Sequence, residues 1–280
     1  MHRFGGVLAA CLLIGSLLAG MPAAHADGDE PQYAEFYLPP DPLPPGKPGD
    51  LIRTEPSRLV LEPSGQLGAI MATGTRIMYR STDARGNPVA VTGTYFEPYN
   101  DWPGKGPRPL ISYAVGTQGQ GNQCAPSRQF NQGIHYSGGW DIMVNYEEAF
   151  IATMVARGFA IVMTDYEGLG TPGMHTYVNR VAEAAAVLDA ARAAKKLPGT
   201  SLDPDGPVAF WGYSQGGGAA ASAAELASTY APELHVVAPT PGRRWPTSRN
   251  CSRTPMAVRW SAWSATRSTV RSTPTRSSPT

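Results

Sequence analysis

Gly212, Tyr213, Ser214, Gln215 and Gly216 form the pattern Gly-x-Ser-x-Gly, in which a hydroxyl sits between two residues without side chains. That spacing suits a nucleophile placed on a sharp, strained turn from strand to helix, because a Cβ at either glycine would collide with neighbouring backbone. The chemistry implied is attack of the Ser214 oxygen on an ester-like carbonyl, with the developing oxyanion held by preorganised N–H donors. The competing reading is a glycine-rich turn that only packs. Context favours the nucleophile. A short apolar run (207–212) reads as a buried strand before the serine, and 215–230 reads as a small-residue helix after it, with 217–221 small enough to press against a sheet.

Other elements must surround that turn. Residues 75–81 and 89–96 alternate as β-strands around a turn at Arg85-Gly86-Asn87-Pro88, which reads as a β-hairpin. Further on, 109–115 and 159–164 read as buried strands, 144–156 and 176–195 as helices, and 234–238 as a fourth strand of the series. The helix over 176–195 would carry Val178, Val181, Ala185 and Leu188 on one stripe and stop at Pro198-Gly199. Strand and helix in alternation predict an α/β fold with a mostly parallel sheet covered on both faces. Residues 27–58, with Pro39, Pro40, Pro42, Pro44, Pro45 and Pro48, read as an extended arm laid over the domain, which would occupy 59–238.

The N-terminus reads as an export signal. An apolar run over 7–18 is followed by Ala24-His25-Ala26, which predicts a signal peptide (1–26) cleaved after Ala26 and a secreted product. The run is too short to span a bilayer, which needs about 20 residues. Cys11 lies near the start of this run, which argues against lipidation. Of the three cysteines, Cys124 and Cys251 would remain after cleavage, and their spacing leaves pairing undecided. A net charge of +1 gives no basic footprint for nucleic acid. There is no His, Cys and carboxylate cluster at metal spacing, so neither metal nor cofactor is expected.

Three separated motifs carry a family resemblance: Gly212-Tyr213-Ser214-Gln215-Gly216-Gly217, the stretch Asp165-Tyr166-Glu167-Gly168-Leu169-Gly170-Thr171-Pro172, and Cys124-Ala125-Pro126-Ser127. Together they resemble the secretory lipases of the α/β-hydrolase fold, the group of the A-type yeast lipase and its actinobacterial relatives. The segment 36–53 is similar too, so the likeness runs over about 36–237. It implies hydrolysis of carboxylic esters, acylglycerols included, with Ser214 as nucleophile. One oxyanion donor would be the backbone N–H of Gln215. The other would come from Gly116-Thr117-Gln118-Gly119, with Thr117 or Gln118 as the candidate, against a plain glycine turn. Contact with a lipid interface is a further expectation.

Asp165, Glu167, His135 and His175 all precede the serine, whereas this fold orders its triad as Ser, acid, His. The acids are therefore read as structural and the histidines as loop hydrogen-bonders. After Ser214 only Glu225, Glu233 and His235 remain, on a helix and on alternating faces of a strand start, so no acid and base pair is expected to reach the serine. Residues 241–280 hold eight arginines (Arg243, Arg244, Arg249, Arg253, Arg259, Arg267, Arg271, Arg276) and three of the six tryptophans, without a lysine, acid, leucine or isoleucine. This mix is what GC-rich coding yields out of frame. Synonymous codons for 243–256 and the start of the next can be written so that another frame reads Ala-Val-Ala-Asp-Leu-Ala-Glu-Leu-Leu-Pro-Tyr-Ala-Asp-Gly, an acidic amphipathic helix with a turn. The expectation is a partial hydrolase domain whose C-terminal strands and cap are missing and whose 239–280 segment is an out-of-frame, disordered tail. Impaired turnover and poor solubility would follow. The alternatives are a non-catalytic secreted binding protein whose basic tail meets anionic surfaces, and another acyl chemistry on the same fold.

Overall fold

The computed structural model describes residues 35–61, 66–132, 134–136, 142–144 and 147–237. The signal peptide, the 239–280 segment and Cys251 lie outside the described residues. Strands are β1 (Leu51–Ser57), β2 (Ala72–Thr82), β3 (Pro88–Pro98), β4 (Leu110–Ala114), β5 (Ile134–Tyr136), β6 (Ile142–Val144), β7 (Ala160–Thr164) and β8 (Val208–Gly212). Helices are α1 (Gln66–Ala69), α2 (Pro126–Gln129), α3 (Glu148–Ala156), α4 (Arg180–Lys196) and α5 (Gln215–Tyr230).

The main sheet runs β1-β2-β3-β7-β4-β8. It is mixed: β1, β2, β3 and β7 pair antiparallel in succession, and β7, β4 and β8 pair parallel. The expected hairpin is therefore part of this sheet, docking through Gly93 opposite Thr164 to Phe96 opposite Ile161. It adds antiparallel strands at one side of the expected parallel strands β7, β4 and β8. Gly93 permits this approach, since a Cβ there would stand 2.2 Å from the Met163 carbonyl oxygen. The arm over 27–58 is corrected at its end, where 51–57 form the edge strand β1. Its prolines spare the ladder only until Pro56, which a strand tolerates at a sheet edge. Of the expected fourth strand over 234–238, the described residues show a single parallel bridge, Val208 with Val236.

Side chains on β4 show how the sheet is covered. Ser112 donates its hydroxyl to the Val187 carbonyl of α4 (2.7 Å), while Tyr113 points oppositely and stacks on Phe150 of α3, with ring centroids 5.0 Å apart. Trp211 of β8, in register with Tyr113, also stacks on Phe150, at 4.7 Å. So α3 covers one face, and α4 packs on the other beside α5. Alanine makes that close packing possible: α4 buries Ala182, Ala184, Ala185, Ala186, Ala190 and Ala191, nearly all round the helix.

The single apolar stripe expected on α4 is thus wrong in detail. Val178 precedes the helix and Val181 is exposed. The helix begins at Arg180, where the Asn179 side chain caps it by accepting from the Val181 and Ala182 amides (3.2 Å each). α3 likewise begins at Glu148, later than expected, since Val144 belongs to β6.

Candidate active site

From β4 the chain crosses to β7 on one side, and from β8 it leaves on the other. The C-terminal ends of β4 and β8 therefore flank the point where strand order reverses, the usual crevice for ligands in open α/β sheets. Ser214 follows β8 there, and Thr117 follows β4.

Ser214 has φ 54° and ψ −119°, a conformation that an L-residue with a side chain adopts only under constraint. The constraint is the backbone around it. A Cβ on Gly212 would lie 2.1 Å from the Gly216 carbonyl oxygen, and one on Gly216 would lie 1.8 Å from that of Ala114. The motif glycines thus let β8, the turn and β4 meet at backbone contact. Gly217 and Gly218 are not needed in this way: the nearest atom to a Cβ at Gly217 is 3.6 Å off, and at Gly218 nothing lies within 4 Å. Ser214 is exposed.

Gln215 opens α5, so its backbone N–H belongs to the first turn, whose amides have no partner within the helix. Its side chain is buried and donates from Nε2 to Glu183 Oε1 (2.7 Å), with His175 Nε2 at 3.2 Å. Glu183 and His175 were missed as partners of the elbow. The available sign was an acid in an alanine-rich helix, which alone does not show which way it faces. Burial raises the Glu183 carboxyl above its ordinary value, against hydrogen bonds from Gln215 and the Val178 amide. Burial lowers the His175 imidazole, against its bond to the Glu167 carbonyl.

Thr117 is exposed, and its hydroxyl lies 3.0 Å from that of Tyr177. The loop it sits on is held from below by Glu147, which accepts from the Gly116 amide (2.7 Å) and from the Tyr113 hydroxyl. Burial pushes the Glu147 carboxyl up to about 7, with the Gly116 amide pulling the other way. Gln118 is turned inward and buried. Tyr166, at φ 68°, donates its hydroxyl to the Val115 carbonyl (2.7 Å) and so ties the loop after β7 to that after β4.

Asp165 is fully buried and faces away from solvent. It accepts from Thr92 Oγ1 (2.6 Å), the Ser127 amide (2.8 Å) and the Ser127 hydroxyl, anchoring α2 beneath the site. Burial raises its carboxyl, opposed by these hydrogen bonds. Glu167 accepts from the Thr176 hydroxyl (3.2 Å) and, through its carbonyl, meets His175 Nδ1 (3.1 Å). Both acids thus serve loop structure. Glu225 pairs with Arg180, and Glu233 with Arg192 at 2.5 Å. His135 lies on β5, and its side chain is outside the described residues. No group of His, Cys, Asp or Glu among the described residues could hold a metal ion.

A family model described as secretory lipase matches residues 136–245. Lipase 1 of Candida albicans is 33% identical over 209 residues, covering 73% of this chain and 41% of that protein. A Mycobacterium tuberculosis protein named as a probable inactive lipase is 32% identical over 213 residues, covering 74% of this chain and 44% of its own length. Over this shared part the chain is similar to the secretory lipases. The closed-state structure of Candida antarctica lipase A superposes with a TM-score of 0.56 at 25% identity, over 75% of this chain and 44% of that one. The fold is that of the lipase and esterase α/β-hydrolases. This chain spans less than half the length of these relatives.

Proposed function

We propose that this chain is the nucleophile-bearing part of a secreted serine ester hydrolase acting on carboxylic esters, acylglycerols among them. The observation that carries the reading is the left-handed backbone of Ser214 at the β8–α5 junction, between two glycines that cannot carry a Cβ. In this reaction Ser214 Oγ bonds to the ester carbonyl carbon, and the charge gathers on the carbonyl oxygen. The backbone N–H groups of Gln215 and Thr117 face it, and the alcohol leaves an acyl–Ser214 ester. Water then cleaves that ester to the carboxylic acid.

Attack requires that the serine proton be taken up. The two acids that follow Ser214 are engaged elsewhere, Glu225 by Arg180 and Glu233 by Arg192, so this chain is expected to turn over p-nitrophenyl butyrate near the background rate. Met174, Tyr177 and Val178 are exposed on the loop whose Tyr177 hydroxyl meets that of Thr117, and Tyr213 is exposed next to Ser214, which suits a lipid interface or acyl chain. Export rests on residues 1–26 read as a signal peptide, and no described helix is long and apolar enough to cross a membrane.

A second reading, a non-catalytic binding protein on a hydrolase core, is favoured by the pairing of Glu225 and Glu233, the acids after Ser214, with Arg180 and Arg192. Exposure to a p-nitrophenyl alkylphosphonate separates the two. A covalent adduct confined to Ser214 supports the esterase reading, and an unmodified Ser214 in folded protein supports the other.

A further inference from the structure

We propose that Glu183 and His175 are positioning residues for the elbow, holding the Gln215 side chain so that its backbone N–H stays aimed at the substrate oxygen. This rests on the reading of Ser214 as nucleophile. The hydrolysis asks only for the backbone of Gln215, and an apolar side chain would be the cheaper occupant of a position this buried. A carboxamide is there instead, and both its N–H groups are used: Glu183 Oε1 at 2.7 Å and His175 Nε2 at 3.2 Å.

The proton positions follow from the partners. His175 Nδ1 lies 3.1 Å from the Glu167 carbonyl oxygen, which can only accept, so Nδ1 carries the proton and Nε2 is a bare acceptor. With acceptors on two sides, the Gln215 amide has one orientation. The same Glu183 Oε1 also accepts the Val178 amide at 2.9 Å. Val178 is itself β-branched with φ 52°, a conformation such residues adopt only when held. One carboxylate oxygen therefore fastens two strained stretches to each other, the turn at Ser214–Gln215 and the loop ahead of α4. Strained backbone persists only where its surroundings over-determine it, and this clamp supplies that for the residue beside the nucleophile.

The test uses the full chain and a p-nitrophenyl alkylphosphonate, following p-nitrophenolate release to obtain kinact and KI, with thermal unfolding measured on each variant. Glu183→Ala and the near-isosteric Gln215→Met are expected to lower kinact about tenfold to a hundredfold, as misplacing an oxyanion donor does, with KI within about threefold of wild type. Glu183→Gln, whose carbonyl oxygen can still accept, is expected to recover most of that rate. Variants that unfold at lower temperature yet keep kinact within about twofold of wild type would reduce the clamp to packing and overturn the inference, leaving the nucleophile reading intact. Failure of the folded wild type to be modified at Ser214 would instead remove that reading, and this one with it.

Discussion

Gly216 and Gly218 stand two residues apart at the start of one helix, and the structure assigns them opposite responses to the same methyl group. In Gly216→Ala the new Cβ would sit 1.8 Å from the Ala114 carbonyl oxygen and 2.6 Å from that of Val115. Real Cβ atoms essentially never come within 3.0 Å, so α5 and β4 must separate by about 1.2 Å. Neither side can yield by rotating a side chain, because both obstacles are backbone. Ala114 is also paired with Thr164 on one side and Gly212 on the other, so moving its carbonyl loosens the ladder at the middle of the sheet. Overpacking alone costs about 1–3 kcal/mol, and each weakened backbone bond adds about 1, giving about 4 kcal/mol in total. At Gly218 nothing lies within 4 Å of the new Cβ, so Gly218→Ala is expected to stabilise by about 0.5–1 kcal/mol through helix propensity. Urea denaturation monitored by circular dichroism reads both. A Gly216→Ala variant losing less than about 1 kcal/mol would refute the claim that strand and helix touch at this glycine.

Stability is expected to fall as pH rises from 5 to 8. The Glu147 carboxyl is raised from 4.5 to about 7 in the folded chain. The native state therefore binds more protons than the unfolded one between those values, and stability present below 4.5 is lost as pH passes through 7, by about 3 kcal/mol from this group. Buried Asp165, Glu183 and Asp189 shift in the same direction. Urea midpoints at pH 5 and pH 8 check this, and Glu147→Gln should flatten the difference; equal slopes in both proteins would contradict it. Asp165→Ala strips the acceptor from Thr92 and from the Ser127 amide and hydroxyl, and is expected to cost about 2–4 kcal/mol in urea denaturation. Asp165→Asn keeps acceptors, and its folded form should phosphonylate at Ser214 within about threefold of wild type; a larger rate loss would make Asp165 part of the reaction.

Much of this was legible in the residue order because local rules coincide with the fold. The hairpin read at 75–81 and 89–96 is β2 and β3, since alternation and a Gly86-Asn87-Pro88 turn speak for themselves. The strands read at 109–115, 159–164 and 207–212 each match within a residue or two, being short apolar runs bounded by turns. The elbow was legible because its glycines answer a steric demand that any strand–turn–helix of this kind makes. What stayed hidden depends on contacts between distant elements. Periodicity does not reveal that β3 pairs antiparallel with β7, nor that Leu51 to Ser57 finds an edge at β2. The helix starts at Arg180 behind the Asn179 cap, whereas the apolar spacing of Val178 and Val181 suggests an earlier start. Glu147, Glu183 and His175 carried no motif at all. Their roles come from burial, which turned two acids and a histidine toward backbone amides and one glutamine.

The most direct test of the central claim is mass spectrometry of the full chain after prolonged exposure to a p-nitrophenyl alkylphosphonate, with Ser214→Ala alongside. Covalent labelling needs a single attack, so it reads the nucleophile even where turnover is slow. One adduct per chain, located on Ser214 and absent from Ser214→Ala, is the expected result. An adduct on another serine, or none on a chain shown to be folded, would contradict the account.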